Sequence, residues 1–511
     1  MLTFAVLAGP WPRLGVVAAA LFAASAMLAR TDESRAWSML GALVLAPVLL
    51  LDDVWHSPQL SILHNHPLEA AIVAAAALVA LAVAAYGVHR VPWIVAPLTA
   101  LTVPFRIPIS SNANTTNNLL VPLYFVIAAS ALAWLVPVLW HSRANTRGLR
   151  VPREPRPAPL LFEKLLAAFI VLYALLSLYS PSTGFVTALQ NEVFFYIPFA
   201  VLLARLRDLE WSRELLIRCL LVTVALAVAF SLIGFVEEAT RHLILSSKLV
   251  LSNSLHAYFT VNSVFFDPNI FGRYLAIVML LVTTVLLYDK RTRVQIGSIV
   301  VLAILWTCLV FTLSRSSLVA LALGMAVLAA FRWKTRPVIY LGVAAVVVGA
   351  IVLATHPSRF GLENANLATG GRGNLITNGI KLYGDRPVYG FGSGSFTTEY
   401  TLKFSQDARS VSDSHDIPIT IASEQGIIGE LVYLALVIAA LLALFRGARG
   451  DPYRVGIAAT FVALVVHTLF YAAFLEDPVT WTLLAIGGSL AVAARANAEP
   501  ERRERHLRAV A

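Results

Sequence analysis

A histidine lies between two aspartates where a long polar stretch of the chain meets an apolar run. His415 is flanked by Asp413 and Asp416, and the segment IPITIASEQGIIGE follows. An imidazole titrates near neutral pH, and an adjacent carboxylate orients it and raises its basicity, as a general base for a hydroxyl nucleophile requires. The pattern therefore predicts a general base at His415. The alternative is a surface histidine without a catalytic role.

Two arginines stand in settings suited to binding an anion. Arg315 interrupts VFTLSRSSLVALALG between two apolar runs, and Arg372 lies in TGGRGN ahead of a helical pattern. A guanidinium presents a planar fork that matches phosphate oxygens, and a helix N-terminus also favours anions. We predict that both arginines bind an anionic group. The alternatives are an arginine that reaches lipid headgroups from a tight turn and a solvated loop arginine.

The segment NSVFFDPNIFGRYLAIV carries a third arginine close to a helix start. Asp267, Pro268 and Asn269 form a favourable N-terminus, because aspartate caps a helix and proline suits its first turn. Arg273 follows one turn later. An ionisable residue at membrane depth is a candidate functional residue, and Arg273 either faces a lumen or extends outward to the interface.

The sequence contains no pattern that predicts a metal, a cofactor or a nucleotide. His356 is the other histidine of the long polar stretch, and the HxxxH and HExxH spacings are absent there. Cys219 and Cys308 both lie inside apolar runs. The glycines of GFGSGSF follow no strand and precede no lysine at Walker spacing, so we interpret them as turns.

The composition of the chain is that of an integral membrane protein. Of its 511 residues, 58% are hydrophobic and 13% are charged, with a mean hydropathy of +0.76. Apolar runs of roughly 17 to 22 residues recur along the chain, each long enough to cross a bilayer as a helix. We predict an all-α polytopic membrane protein with about 14 transmembrane helices, 13 to 15 being compatible with the pattern. The first run precedes RTDESR rather than a cleavage site, so we expect a retained helix.

The positive charge of the chain follows its topology. The net charge is +10, and Lys and Arg collect in alternate short loops and in the tail from Arg495 to Arg508. By the positive-inside rule these loops and the C-terminus are cytoplasmic. The opposite, outer face then receives residues 105–118, 237–266 and 355–418. Anionic lipid accounts for the basic patches, and we expect no nucleic-acid partner.

These assignments divide the chain into five parts. We predict N-terminal transmembrane helices over residues 1–250, further helices with the PN and SR motifs over 251–354, a large outer loop over 355–418, C-terminal transmembrane helices over 419–494, and a basic cytoplasmic tail over 495–511.

The large outer loop contains a helical pattern. In NLITNGIKLYGDRP, Leu375, Ile376, Gly379, Ile380 and Tyr383 recur with the period of one helical face. This spacing predicts a short amphipathic helix lying along the membrane surface.

The order of these motifs resembles that of the O-antigen ligase and polymerase superfamily of bacterial membrane glycosyltransferases. Members carry an SR motif at the membrane boundary, an arginine and a glycine-rich turn in a large outer loop, and a histidine followed at fixed spacing by GxxG. Here Ser314 and Arg315, Arg372, GFGSGSF, and His415 with nine residues between Asp416 and GIIG correspond to these elements in order. FFDPNIFGRYLAI is similar to the PN-containing helix start of the family. The resemblance covers about residues 260–490.

The resemblance implies a GT-C-like fold and a metal-independent, inverting glycosyl transfer at the outer face of the cytoplasmic membrane. The donor would be a glycan on a polyprenyl pyrophosphate, and the acceptor a hydroxyl of a glycan or of a lipid-linked glycan. Arg315 and Arg372 would hold the pyrophosphate, and His415 would accept the proton of the acceptor hydroxyl. We expect four supporting residues: Asn269, Arg273, Ser314 and Asp416.

The sequence departs from the family pattern at one position, and a different class of function competes with the enzyme. Asp416 stands where the family commonly has Asn, Ser or Gln, so an acidic residue here changes acceptor contacts or tunes the base. The competing class is a transporter or flippase for a lipid-linked or anionic substrate, in which the same arginines bind without chemistry. Ligases and polymerases share these motifs, so the acceptor stays open.

Overall fold

The structure, a computed structural model, describes residues 9–54, 66–110, 116–144, 157–244, 259–333, 336, 372–404, 414–471 and 473–510. It describes the backbone alone for residues 52–54, 109–110, 116–117, 141–144, 372 and 497–510. Asp413, His356 and the apolar run at residues 337–354 lie outside the described residues.

Long apolar helices make up most of the described chain. Twelve of them are long and apolar enough to cross a membrane, and two shorter apolar helices cover Pro92–Thr102 and Pro452–Thr468. The prediction of an all-α polytopic membrane protein is therefore confirmed. In chain order the helices are α1 (Pro10–Leu28), α2 (Asp32–Val54), α3 (Pro67–Arg90), α4 (Val95–Thr102), α5 (Val121–Ala144), α6 (Leu161–Leu176), α7 (Ser182–Asn191), α8 (Ile197–Arg207), α9 (Arg213–Thr240), α10 (Pro268–Tyr288), α11 (Thr292–Phe311), α12 (Arg315–Arg332), α13 (Arg372–Asp385), α14 (Phe396–Phe404), α15 (Ile417–Phe445), α16 (Pro452–Thr468) and α17 (Pro478–Val510).

The remaining regular elements are short. A π-helical turn at Glu192–Tyr196 joins α7 to α8, so that Ser182–Arg207 forms one apolar helical stretch. Strands β1 (Ile107–Ser110) and β2 (Thr116–Leu119) pair antiparallel between α4 and α5, with Ile107 opposite Leu119.

Several membrane helices begin with a side-chain cap. The Asp267 carboxylate accepts a hydrogen bond from the Asn269 N–H ahead of α10, and Pro268 occupies the first turn. Asp416 caps α15 and Asp451 caps α16 in the same way. Such a cap contributes about 1 kcal/mol, because it satisfies an N–H that has no partner within the helix.

Two hydrophobic cores hold the bundle together. The first contains the fully buried Trp481 and Phe199, and the second contains Phe271 on α10. In α10, 78% of the residues in the apolar stretch are buried. In α3 only 11% are buried, and its apolar side chains point outward. A helix that is apolar on every side belongs in a protein interior or in a membrane, so α10 is central and α3 faces lipid.

The predicted helix of the polar loop is present as α13, and it packs against a membrane helix. Leu382 and Gly379 are buried, and α13 packs against α15. The Ser423 hydroxyl on α15 donates to the Gly379 carbonyl at 3.0 Å. Ile380 is 56% exposed, and its contact with a membrane surface stays a prediction. The spacing of apolar residues in this helix does not determine which side packs against the protein. Contact with α15 buries the side that contains Gly379 and Leu382.

Candidate functional site

The N-termini of α10 and α12 meet at one end of the bundle. The Ser314 hydroxyl lies 2.9 Å from the Asn269 side-chain oxygen and 2.7 Å from the Ser317 hydroxyl. Ser314 also caps α12 by accepting from the Ser317 N–H at 3.4 Å. Two of the predicted supporting residues, Asn269 and Ser314, are therefore in direct contact. We call this end of the bundle the His415 end, since α15 also begins there with Asp416.

His467 links α16 to the start of α12. Its imidazole is fully buried, and Nε2 lies 3.2 Å from the Ser316 hydroxyl and 3.3 Å from the Ser317 hydroxyl. Ser316 follows Arg315 directly. The histidine therefore fixes the turn that presents Arg315, whose own side chain is exposed at the first position of α12.

Tyr471 connects this serine and histidine cluster to His415. Its ring centroid lies 5.8 Å from that of His467 and 6.1 Å from that of His415. The phenol hydrogen-bonds the Asp267 carboxylate, and burial, followed by the charge of Asp267, raises the pKa of Tyr471 well above its ordinary value. The phenol therefore keeps its proton and donates a hydrogen bond to the Asp267 carboxylate.

His415 itself has an unusual backbone. Its φ is 58°, in the left-handed region that few residues other than glycine adopt, and its side chain is half-buried. Backbone conformations of this kind concentrate at active sites, where the surrounding structure holds them. The neighbouring Ser414 supports the turn, since its hydroxyl accepts from the Asp416 N–H at 3.0 Å and lies 2.7 Å from the Thr420 hydroxyl.

The Asp416 carboxylate has a structural partner. It accepts a hydrogen bond from the Ile419 N–H at 3.1 Å and thereby caps α15. Burial raises the pKa of Asp416, and the bond from Ile419 opposes this. The carboxylate thus fixes the helix whose N-terminus follows His415.

Arg273 faces the interior of the bundle, which decides between the two alternatives of the sequence. Its guanidinium is 2% exposed, forms an ion pair with Asp477 at 2.5 Å, and donates to the Ala473 carbonyl at 2.9 Å. The pair joins α10 to the start of α17, so Arg273 supports the loop after α16 instead of extending to the interface.

The second predicted arginine of the anion site, Arg372, is the first residue of α13. Its side chain lies outside the described residues. Its predicted contact with a pyrophosphate therefore stays a prediction.

The glycine-rich turn is built onto α15. The Glu424 carboxylate accepts hydrogen bonds from the Gly394 N–H at 2.8 Å and from the Phe396 N–H at 3.0 Å. Helix α15 is interrupted at Gly426, where φ is 64°, and a Cβ there would lie 2.3 Å from the Val388 carbonyl. The turn and the helix therefore approach each other at backbone distance, which a side chain at this position would prevent.

The same turn also contacts the end of α6. The Ser180 hydroxyl donates to the Ser393 carbonyl at 2.6 Å, and a Cβ on Gly392 would lie 2.4 Å from the Ser180 hydroxyl. The interpretation of these glycines as turns agrees with this packing.

Comparison with protein families places part of this arrangement in a known family. The model of the O-antigen ligase family matches residues 299–434. Residues 299–434 are an O-antigen ligase domain. This domain includes Ser314, Arg315, Arg372, His415 and Glu424. This match supports a glycosyltransferase-type role related to cell-surface polysaccharide. Comparison with curated proteins gives no match.

The O-antigen ligase domain is completed by residues that sequence reasoning did not single out. His467 and Tyr471 follow the matched region, and Asp477 directly precedes α17. His467 lies inside the apolar run RVGIAATFVALVVHTLF, and an ionisable residue in such a run is a functional candidate by default. The same signal marks Glu424 in IASEQGIIGE.

Proposed function

We propose that the protein is a metal-independent, inverting glycosyltransferase. It transfers or polymerises a glycan from a polyprenyl-pyrophosphate donor onto a sugar hydroxyl, at the outer face of the bacterial cytoplasmic membrane. The O-antigen ligase domain and the contacts around His415 support this proposal.

The proposed reaction is a single displacement. The acceptor oxygen attacks the anomeric carbon, the bond from that carbon to the pyrophosphate oxygen breaks, and polyprenyl pyrophosphate leaves with the electron pair. His415 accepts the proton of the acceptor hydroxyl, which restores a neutral glycosidic oxygen. Attack opposite to the leaving group inverts the anomeric centre.

Arginines stabilise the leaving group in this proposal. The pyrophosphate gains negative charge as the bond breaks, and a fixed guanidinium stabilises that charge where a metal ion would otherwise do so. Arg315 is suited to this role because Ser316 and Ser317 beside it are held by His467. We assign the same role to Arg372 at the start of α13.

One observation carries the proposal: the ring of Tyr471, which follows the O-antigen ligase domain in the chain, lies 6.1 Å from that of His415 within the domain and 5.8 Å from that of His467. His467 in turn contacts the hydroxyl of Ser316, next to Arg315. Consecutive side-chain contacts thus lead from the candidate base to Ser316, the residue that follows the candidate cation Arg315.

The direction of the helices supports an outer position for this chemistry. Helix α15 runs from Asp416, at the His415 end, to the basic loop of Arg446 and Arg449. Helix α17 runs from Asp477, at the same end, into the basic tail. Since basic segments remain in the cytoplasm, the His415 end faces outward.

The proposal is tested with purified protein in lipid nanodiscs, a polyprenyl-pyrophosphate-linked glycan and candidate acceptors. Mass spectrometry should detect glycan transfer by the unaltered protein. His415→Ala should lower the rate by about 10²- to 10⁴-fold. The control is His242→Ala, which changes an exposed histidine after α9. Full transfer by His415→Ala would contradict the mechanism.

The same experiment decides the type of product. Extension by successive repeat units indicates a polymerase, and transfer of one preformed glycan indicates a ligase. A parallel assay with EDTA tests the metal-independence, and loss of transfer that added Mg²⁺ restores would contradict it.

A further inference from the structure

Arg106 occupies a fixed position between α4 and the β-hairpin. The preceding Phe105 packs edge-on against Phe230 with ring centroids 5.8 Å apart. The following Ile107 pairs with Leu119 in the two-stranded sheet. The backbone on either side of Arg106 is therefore held by contacts, unlike that of an arginine in a solvated loop.

The Arg106 side chain turns towards the His415 end of the bundle. Its guanidinium carbon lies 5.5 Å from the ring centroid of Phe266, and its side chain is half-buried. Burial lowers the pKa of Arg106, and the nearby Asp477 carboxylate opposes this, whereas the charge of Arg273 adds to it. Two guanidinium groups therefore lie close to one carboxylate.

Both oxygens of the Asp477 carboxylate already have a partner other than Arg106. One oxygen of Asp477 forms the ion pair with Arg273 at 2.5 Å, and the other accepts from the Val479 N–H at 2.9 Å. Arg106 makes no hydrogen bond or ion pair with any residue of the described ranges. Its N–H donors are therefore available for an oxyanion, and partial burial makes such a partner valuable, since a buried charge is costly without one.

Phe266 and Asp267 link Arg106 to the surroundings of the candidate base. Arg106 lies over the Phe266 ring, the adjacent Asp267 accepts a hydrogen bond from the Tyr471 phenol, and the Tyr471 ring lies 6.1 Å from that of His415. A substrate that contacts His415 and passes over Tyr471 would thus reach the Arg106 guanidinium.

We propose that Arg106 binds a phosphate or carboxylate oxygen of the substrate held beside His415. The proposal rests on the proposed function, and it adds a residue from outside the O-antigen ligase domain to the site. The anionic group is either the pyrophosphate of the donor or an acidic group on the acceptor. A guanidinium suits both, because it donates two parallel hydrogen bonds to a pair of oxygens.

The test compares Arg106→Gln and Arg106→Lys with the unaltered protein, with donor and acceptor varied separately. Arg106→Gln should raise the KM of the substrate that carries the anion by about 10- to 100-fold, with kcat nearly unchanged. Arg106→Lys should recover part of this loss, because it keeps the charge without the fork. A rise in the donor KM assigns the group to the pyrophosphate, and a rise for acidic but not neutral acceptors assigns it to the acceptor.

The matched control is Arg241→Gln. Arg241 also stacks on a phenylalanine, 5.3 Å from the Phe259 ring centroid, but it has an ion-pair partner in Glu238 at 2.8 Å. This change should leave both KM values within about twofold. The proposal is overturned if Arg106→Gln leaves both KM values unchanged, or if it lowers only thermal stability.

A binding measurement separates this proposal from the proposed reaction. Polyprenyl pyrophosphate and an acidic glycan are each titrated against the protein in nanodiscs, without turnover. Weaker binding of one probe to Arg106→Gln supports the anion site even if the unaltered protein forms no glycan. Equal binding of both probes to the two proteins overturns it even if the transfer reaction is demonstrated.

Discussion

The Glu424 carboxylate lies 2.8 Å from the backbone N–H of Gly394 and thereby joins a membrane helix to the glycine-rich turn outside it. Its second oxygen accepts from the Phe396 N–H at 3.0 Å, at the start of α14. One buried side chain thus satisfies two backbone donors at the end of the glycine-rich turn. Hydrogen bonds to an ionised acceptor are the stronger kind, so the turn depends on this carboxylate.

Glu424→Gln should destabilise this connection. A glutamine keeps one acceptor oxygen but turns an amide N–H₂ towards the second backbone donor, and the expected loss is about 1.5–3 kcal/mol. Unfolding in detergent, followed by the release of residues 372–404 to limited proteolysis, measures it. Glu399→Gln on α14 is the control, and an equal effect of the two changes would contradict the assigned role.

Gly426→Ala should disrupt the contact between the turn and α15. The residue has φ of 64°, and a Cβ would lie 2.3 Å from the Val388 carbonyl, where only backbone could move to relieve the clash. The combination of φ 64° and ψ −163° is open almost only to glycine and alone costs alanine about 1–3 kcal/mol. Gly384→Ala in α13 is the matched control, because a Cβ there meets no atom within 4 Å. Equal thermal midpoints for the two variants would contradict the close backbone contact at Gly426.

Arg273→Met should be among the most destabilising changes in α10. It leaves the Asp477 carboxylate buried without its ion-pair partner, and breaking a buried pair costs about 3–5 kcal/mol. The double variant with Asp477→Asn should recover much of the loss, since the stranded charge is removed. Chemical unfolding in detergent measures both. Arg291→Met, which breaks the exposed pair with Asp289, should have little effect.

The Glu476 carboxyl should make stability depend on pH. Burial raises the pKa of Glu476, while the Tyr196 hydroxyl, which donates to Oε1 at 2.7 Å, opposes this. A raised pKa in the folded state contributes stability that is complete below the unfolded value of roughly 4.3 and is lost as the pH rises through the folded pKa. The thermal midpoint should therefore fall over this range.

Glu476→Gln keeps an acceptor for Tyr196 and should remove that part of the pH dependence. Thermal midpoints at a series of pH values between about 4 and 8 measure it. Glu214→Gln, which changes an exposed carboxylate at the start of α9, is the control and should leave the shape of the profile unchanged. A Glu476→Gln profile parallel to that of the unaltered protein would contradict the prediction.

The membrane helices could be predicted well from the sequence because a backbone segment in lipid must satisfy its own hydrogen bonds. Each span must satisfy its own hydrogen bonds, so length and hydropathy identify it without knowledge of its neighbours. Two shorter apolar runs, at residues 93–104 and 193–206, are harder to interpret from hydropathy alone. The first corresponds to a short helix, and the second continues through a π-helical turn that periodicity does not reveal.

The sequence indicates candidate residues for the site, but not the contacts between them. His415, Ser314 and Asn269 were identified from local motifs, but nothing in their spacing indicates that Tyr471 would lie against His415. That contact depends on how α15 and α16 pack, which hydropathy does not determine. Arg273 shows the same limit. The direction of its side chain depends on the ion pair with Asp477, which lies 204 residues later in the sequence.

The interruption of α15 at Gly426 also marks a boundary for protein engineering. The Gly392 N–H donates to the Glu424 carbonyl and the Ile427 N–H donates to the Pro387 carbonyl, so the first part of α15 shares its hydrogen bonds with the turn. Residues 372–404 and 414–427 therefore exchange hydrogen bonds among themselves, and a chimera with another protein that carries an O-antigen ligase domain should keep these contacts if the junction is placed directly after Ile427. A junction between residues 396 and 417 would separate Gly394 from Glu424 and combine halves that did not evolve together.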